Sequence, residues 1–145
     1  MSQPTSAADG AAASLQFFQL PVLADQGIPQ AFSCTIGATS YDFGVYANID
    51  PGESDPPETL YDLAAPSGLV EPADPPGYLV LRIARQGPDG PQVIFLRKLV
   101  PEPGLIHYGA ELAVKAATAV VARGNLNGTG SYGSQIVIGV AQRWA

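Results

Sequence analysis

Two runs of alternating residues flank the tetrapeptide Gly87-Pro88-Asp89-Gly90, and this hairpin signature constrains the chain more than any other feature. From Tyr78 to Ala84, Leu79, Leu81 and Ile83 share one parity, while Tyr78, Val80 and Arg82 share the other. A period of two belongs to a strand with one buried face. Pro88 fixes one backbone angle, and Gly90 can take the positive φ that closes a tight turn. Val93 to Val100 then reads as the returning strand,.

The same punctuation recurs along the chain. Leu15 to Leu20 reads as a strand stopped by Pro21. Ala31 to Ile36 and Tyr41 to Ala47 read as a second hairpin about Gly37-Ala38-Thr39-Ser40, with Phe32, Cys34 and Ile36 on one face. Leu105 to Tyr108 is ambiguous. Glu111 to Ala122 suits a helix on alanine propensity. It also alternates through Leu112, Val114, Ala116, Thr118 and Val120, and strand is the narrow preference. Gln135 to Trp144 reads as a last strand. Seven or eight strands joined by Gly/Pro turns predict an all-β domain over residues 15–145, either a small antiparallel barrel or a sandwich. Residues 1–14 are small and polar, which predicts a flexible N-terminal arm,.

Residues 48–77 break the pattern. They hold seven of the 14 prolines and seven acids. Proline supplies no ladder donor, so Pro56-Pro57 and Pro75-Pro76 exclude a central strand and predict a long acidic loop or insertion. Within it, Thr59 to Leu63 suits a short edge strand or a helical turn.

Charge is sparse and uneven. Charged residues make up 14 % of the chain, where about a quarter is usual. A surface with so few charges tends to meet other protein. Residues 1–77 carry ten of the 13 acids and no Lys or Arg, while residues 78–145 carry all seven bases. An acidic half argues against a nucleic-acid surface, and the bases form no stripe with interleaved aromatics. Such a partition suits either simple solvation of a loop or head-to-tail contacts between copies. No apolar run is long enough for a membrane helix. Residues 1–14 lack the basic and apolar regions of a signal peptide, so synthesis in the cytoplasm is expected.

Few residues of the chain are of types that carry chemistry. His107 and Cys34 are each the one residue of their type, so a Cys/His zinc cluster within the chain is excluded,. Cys34 in a strand-like run reads as a small buried hydrophobe. Asp50-Pro51-Gly52-Glu53-Ser54-Asp55 lacks the carboxylate spacing of a calcium loop. Gly124, Gly128, Gly130 and Gly133 lack the Lys-Ser or Lys-Thr of a phosphate loop. No catalytic, metal or cofactor site is therefore expected, and the chain is read as a non-enzyme.

One ordered series of segments is suggestive. Leu20-Pro21 is followed by Gln30-Ala31-Phe32, Tyr41-Asp42-Phe43 and Gly77-Tyr78-Leu79-Val80-Leu81-Arg82-Ile83. Then come the Gly-Pro-Asp-Gly turn, Lys98-Leu99-Val100-Pro101 and a glycine-rich stretch before a closing strand. Over residues 15–145 this order resembles the small plug-like baseplate proteins of contractile phage tails. The acidic stretch at 48–77 is longer than that family's turn. The resemblance implies a structural virion protein at or near the tail hub, assembled in the host cytoplasm with hub, tube or baseplate proteins, as a homo- or hetero-oligomer. On that reading Asp50, Glu53, Asp55, Glu58, Tyr61, Asp62, Glu71 and Asp74 form the candidate interface, where charge sets partner choice. Phe17, Phe18, Tyr78 and Trp144 are then core or interface aromatics. The alternatives are a head or tail decoration protein, and a sugar- or peptide-binding β-module using Tyr46, Tyr61 and Tyr132 as an aromatic platform.

Overall fold

The alternation seen in the sequence becomes nine strands among the described residues of the computed structural model, which are 15–51, 54–64, 77–102, 104–128 and 131–143. The N-terminal arm at 1–14, Glu53, Glu71, Asp74 and Trp144 lie outside them. The strands are β1 (Phe18–Gln19), β2 (Gln30–Ile36), β3 (Thr39–Ile49), β4 (Leu60–Asp62), β5 (Gly77–Gly87), β6 (Gly90–Leu99), β7 (His107–Tyr108), β8 (Leu112–Ala122) and β9 (Gln135–Gln142). They pair into two antiparallel sheets that do not close into a barrel, which resolves the choice in favour of a sandwich.

The first sheet runs β2-β3-β5-β6. It joins the two hairpins read in the sequence through the β3–β5 ladder, in which Phe43 faces Ile83 and Val45 faces Leu81. Gly87 pairs Gly90 across the Pro88-Asp89 turn, and Gly90 adopts φ 103°, a conformation that favours glycine,. The second sheet runs β1-β9-β8-β4. Because β9 occupies one edge of β8, the other edge is shared by β7 at its start and β4 at its end. An isolated bridge from Pro101 to Ala116 lies between them. The alanine-rich segment is thus a strand. Pairing along both edges overrides its helix propensity.

The core lies between the sheets. Phe43, Val45, Leu79, Leu81, Ile83 and Leu99 on one side meet Leu112, Val114, Val121, Ile138 and Val140 on the other. Leu79, Leu81 and Ile83 have no exposed surface. Two register shifts, at Ile83/Ala84 and Ala116/Thr118, each insert one residue. The second moves the buried parity of β8 from Leu112, Val114 and Ala116 to Ala119 and Val121,.

The stretch at 48–77 is only partly loop. Its first two residues still belong to β3, Gly77 opens β5, and β4 is a three-residue edge strand on the second sheet. The chain thus leaves the first sheet after β3, visits the second at β4 and is back in the first at β5.

Removing buried methyl groups from the centre of this interface should cost most. Leu81→Ala is expected to lower the unfolding free energy by about 2–5 kcal/mol. Leu96→Ala, at a side chain 60 % exposed, should change it by less than about 0.5 kcal/mol. Urea unfolding of both variants checks this, and equal effects would contradict the placement of β5 at the core.

Candidate functional site

The five described candidates at 48–64 do not share one environment. Asp50 and Glu58 are exposed. Tyr61 alternates inward on β4 and is buried, and its hydroxyl donates to Asp55 Oδ2 at 2.6 Å. The Asp55 carbonyl accepts from Arg123 Nη1 at 2.7 Å. Asp62 points outward, and its Oδ1 accepts from the Ala64 N–H at 2.9 Å. Tyr61 and Asp55 therefore hold the passage onto β8, while Asp62 shapes its turn and, with Asp50 and Glu58, faces solvent.

The three tyrosines weighed as a platform are not brought together. Tyr61 is buried on the second sheet, Tyr46 is on the outward face of the first, and Tyr132 sits on the loop before β9 with 86 % exposure. Tyr46 lies over Gly44, whose missing side chain leaves room for the phenol ring. The nearby Tyr78 ring carries Lys98 Nζ at 3.9 Å from its centre, so a cation covers one of its faces,. Phe17 is similarly covered by Lys115 Nζ at 4.3 Å.

Two polar clusters clamp the ends of the sandwich. At one end Tyr41 Oη donates to Glu111 Oε1 at 2.9 Å, and Arg85 Nη1 bonds Glu111 Oε2. Arg85 Nη2 also donates to Gln92 Oε1 at 2.8 Å. Strands β3, β5 and β6 are thereby tied to the residue preceding β8. At the other end the fully buried Asn125 donates through Nδ2 toward Asp25 Oδ1, the Ser131 carbonyl and Ser134 Oγ, and its Oδ1 accepts from the Ser131 N–H. This cluster pins the 3₁₀ turn Ala24–Gln26 to the approach to β9.

The two reactive side chains lie on different sheets, Cys34 on β2 and His107 on β7. His107 Nε2 accepts from the Val100 N–H at 3.2 Å, which fastens the exit of β6. Burial raises the Cys34 thiol above its ordinary pKa, which disfavours the nucleophilic thiolate,. Among the described residues no three His, Cys, Asp or Glu gather as a metal set. No helix among them is long and apolar enough to cross a membrane. An open groove of about 860 Å³ lies between the β2–β3 turn and the β5–β6 hairpin. Its wall includes Arg85, whose guanidinium is already engaged by Glu111 and Gln92.

The first sheet presents a different kind of surface. Its edges are β2, seven residues long, and β6, ten residues long. The second sheet ends on β1, β4 and β7, none longer than three residues. Along β6, Val93 is 46 % exposed and Leu96 60 %, with Val100 just beyond at 42 %. Sequence periodicity marks these residues as strand, but only strand order reveals that they lie on an open edge. Matching against family models, curated proteins and solved structures gives no match to this chain.

The Tyr41 clamp has a pH signature. Burial, then the hydrogen bond to Glu111 and its negative charge, raise the Tyr41 pKa above its ordinary value. Between those two values the folded chain keeps a proton that the unfolded chain has lost, so stability falls as pH rises through that window. Tyr41→Phe is expected to flatten this alkaline decline, which begins near pH ~10. It should cost about 1 kcal/mol at neutral pH. Denaturant unfolding of both proteins from neutral to alkaline pH would expose a failure as parallel curves.

Proposed function

We propose that this chain is a structural component of an assembled particle and acts through protein–protein contacts rather than chemistry. The observation that carries this reading is the β6 edge. It is a ten-residue strand with one side unpaired among the described residues and with Val93 and Leu96 exposed. Long open edges with apolar side chains are templates for pairing, and proteins that work alone usually shorten or cover them. The low charge content of the chain supports the same reading,. The particle implied by the segment order is a phage virion, and within it the tail baseplate near the hub. In that setting the protein would be synthesised in the host cytoplasm and take its place among hub, tube or baseplate proteins. Asp50 and Glu58, exposed where β3 leaves the first sheet and before β4, would contribute charge to partner choice,.

Mass spectrometry of purified particles, separated into heads and tails, tests the proposal. Enrichment in tails at a few copies is expected. Enrichment in heads at high copy number would replace the baseplate with a decoration role. Absence from both fractions would overturn a virion role altogether.

A further inference from the structure

We infer that the chain self-associates head to tail, with β6 of one copy pairing against β2 of the next to continue the four-stranded sheet. This inference rests on the reading of the chain as an assembly protein.

The geometry of the sheet permits it. The order β2-β3-β5-β6 is antiparallel throughout and contains an even number of strands. Its two edges therefore run in opposite directions. Copies related by rotation about an axis along the strands, or by simple translation, bring β6 against β2 in the antiparallel sense. A junction of this heterologous kind closes into a ring or runs on as a filament.

Charge disfavours the symmetric β6 pairing. Strands β2 and β3 contain one acid, Asp42, and no base. Strands β5 and β6 contain Arg82, Arg85, Arg97 and Lys98, and no acid. Asp42 accepts hydrogen bonds from Ser33 and Gln86, which lower its pKa and keep it ionised. Sheet order therefore gives the sheet one basic side, β5 and β6, and one side without a base, β2 and β3. Pairing β6 with a second β6 brings two basic sides together. Pairing β6 with β2 instead sets the basic side against a strand without bases, with the Asp42 carboxylate one strand behind it,.

The side chains also limit the register. Pro91 and the pair Arg97 and Lys98 are the residue types that discourage indiscriminate edge pairing. Between them Gln92 to Leu96 is an uncharged window. The whole of β2, Gln30–Ile36, is uncharged as well. A neighbour's β2 can thus cover the apolar part of β6 while the basic residues remain at its end.

Two variants blocked on opposite edges decide the matter. Val93→Lys with Leu96→Lys blocks β6, and Ala31→Lys with Thr35→Lys blocks β2; all four side chains are exposed, so folding is retained. Circular dichroism checks the retained strand content. Light scattering behind size exclusion should show wild-type species that grow with concentration and shrink as salt rises. Each blocked variant alone should lose every species above monomer. An equimolar mixture of the two should form a dimer and stop there, because one functional junction remains. A wild-type chain that stays monomeric at every concentration would overturn the inference. A β2-blocked variant that still dimerises by itself would also overturn it, in favour of symmetric β6 pairing. Neither result depends on particles, so failure here is separable from absence of the chain in heads and tails.

Discussion

Burial of one face of β5 holds the architecture together. Leu79, Leu81 and Ile83 project from a central strand flanked by β3 and β6, and they are sealed by the face built from β8 and β9. A strand bordered on both sides has its backbone groups satisfied, so its apolar side chains can be fully withdrawn from water without leaving unpaired donors. The polar contacts fall at the ends of the sandwich. The Tyr41–Glu111–Arg85 cluster at one end and Asn125 with its serine and aspartate partners at the other fix how far the sheets can slide. Their charged and amide groups are each met by specific partners, which is the condition for placing them partly out of water.

The two sheets solve the edge problem differently. The second sheet divides the outer edge of β8 among β7, the Pro101 bridge and β4, so that no long row of donors and acceptors faces solvent there. The first sheet keeps β2 and β6 at full length. Short strands are a common device against unwanted pairing, and its use on one sheet alone makes the other the natural contact surface. The solvent-facing acids and the exposed apolar side chains are consequently parts of different regions, with Asp50 at the end of β3 and Leu96 on β6.

Much of the fold was legible because strand period is a local property. The Tyr78–Ala84 and Val93–Val100 runs, with a proline and glycines between them, specified the central hairpin, and alternation in the alanine-rich segment pointed to strand over helix. Boundaries were less legible. Leu15 to Leu20 contracts to Phe18–Gln19, which pair with Val140 and Gly139 of β9, while the Leu20 N–H makes one more bond to the Ile138 carbonyl. The short β4 was an alternative to a helical turn, since its stability comes from pairing with β8 rather than from its own three residues. Tyr61 shows the limit most clearly. In sequence it lies among acids and prolines, yet its parity on β4 carries it inward. The candidate surface on β6 was not read from the sequence, because an edge is defined by the absence of a neighbour, and Pro91 and Lys98 on β6 only hint at one,.

Chain order gives the β9 ladder a consequence for synthesis. The first sheet is built from residues 30–99, while β8 and β9 follow it and β1 pairs only with β9. A ribosome therefore releases all four strands of one layer before the layer that covers them exists. During that interval Leu79, Leu81 and Ile83 have no partner sheet, and β1 waits for the last strand before it can find its place. Protection of that nascent apolar face falls to whatever meets it first, whether the chain's own later strands or a chaperone.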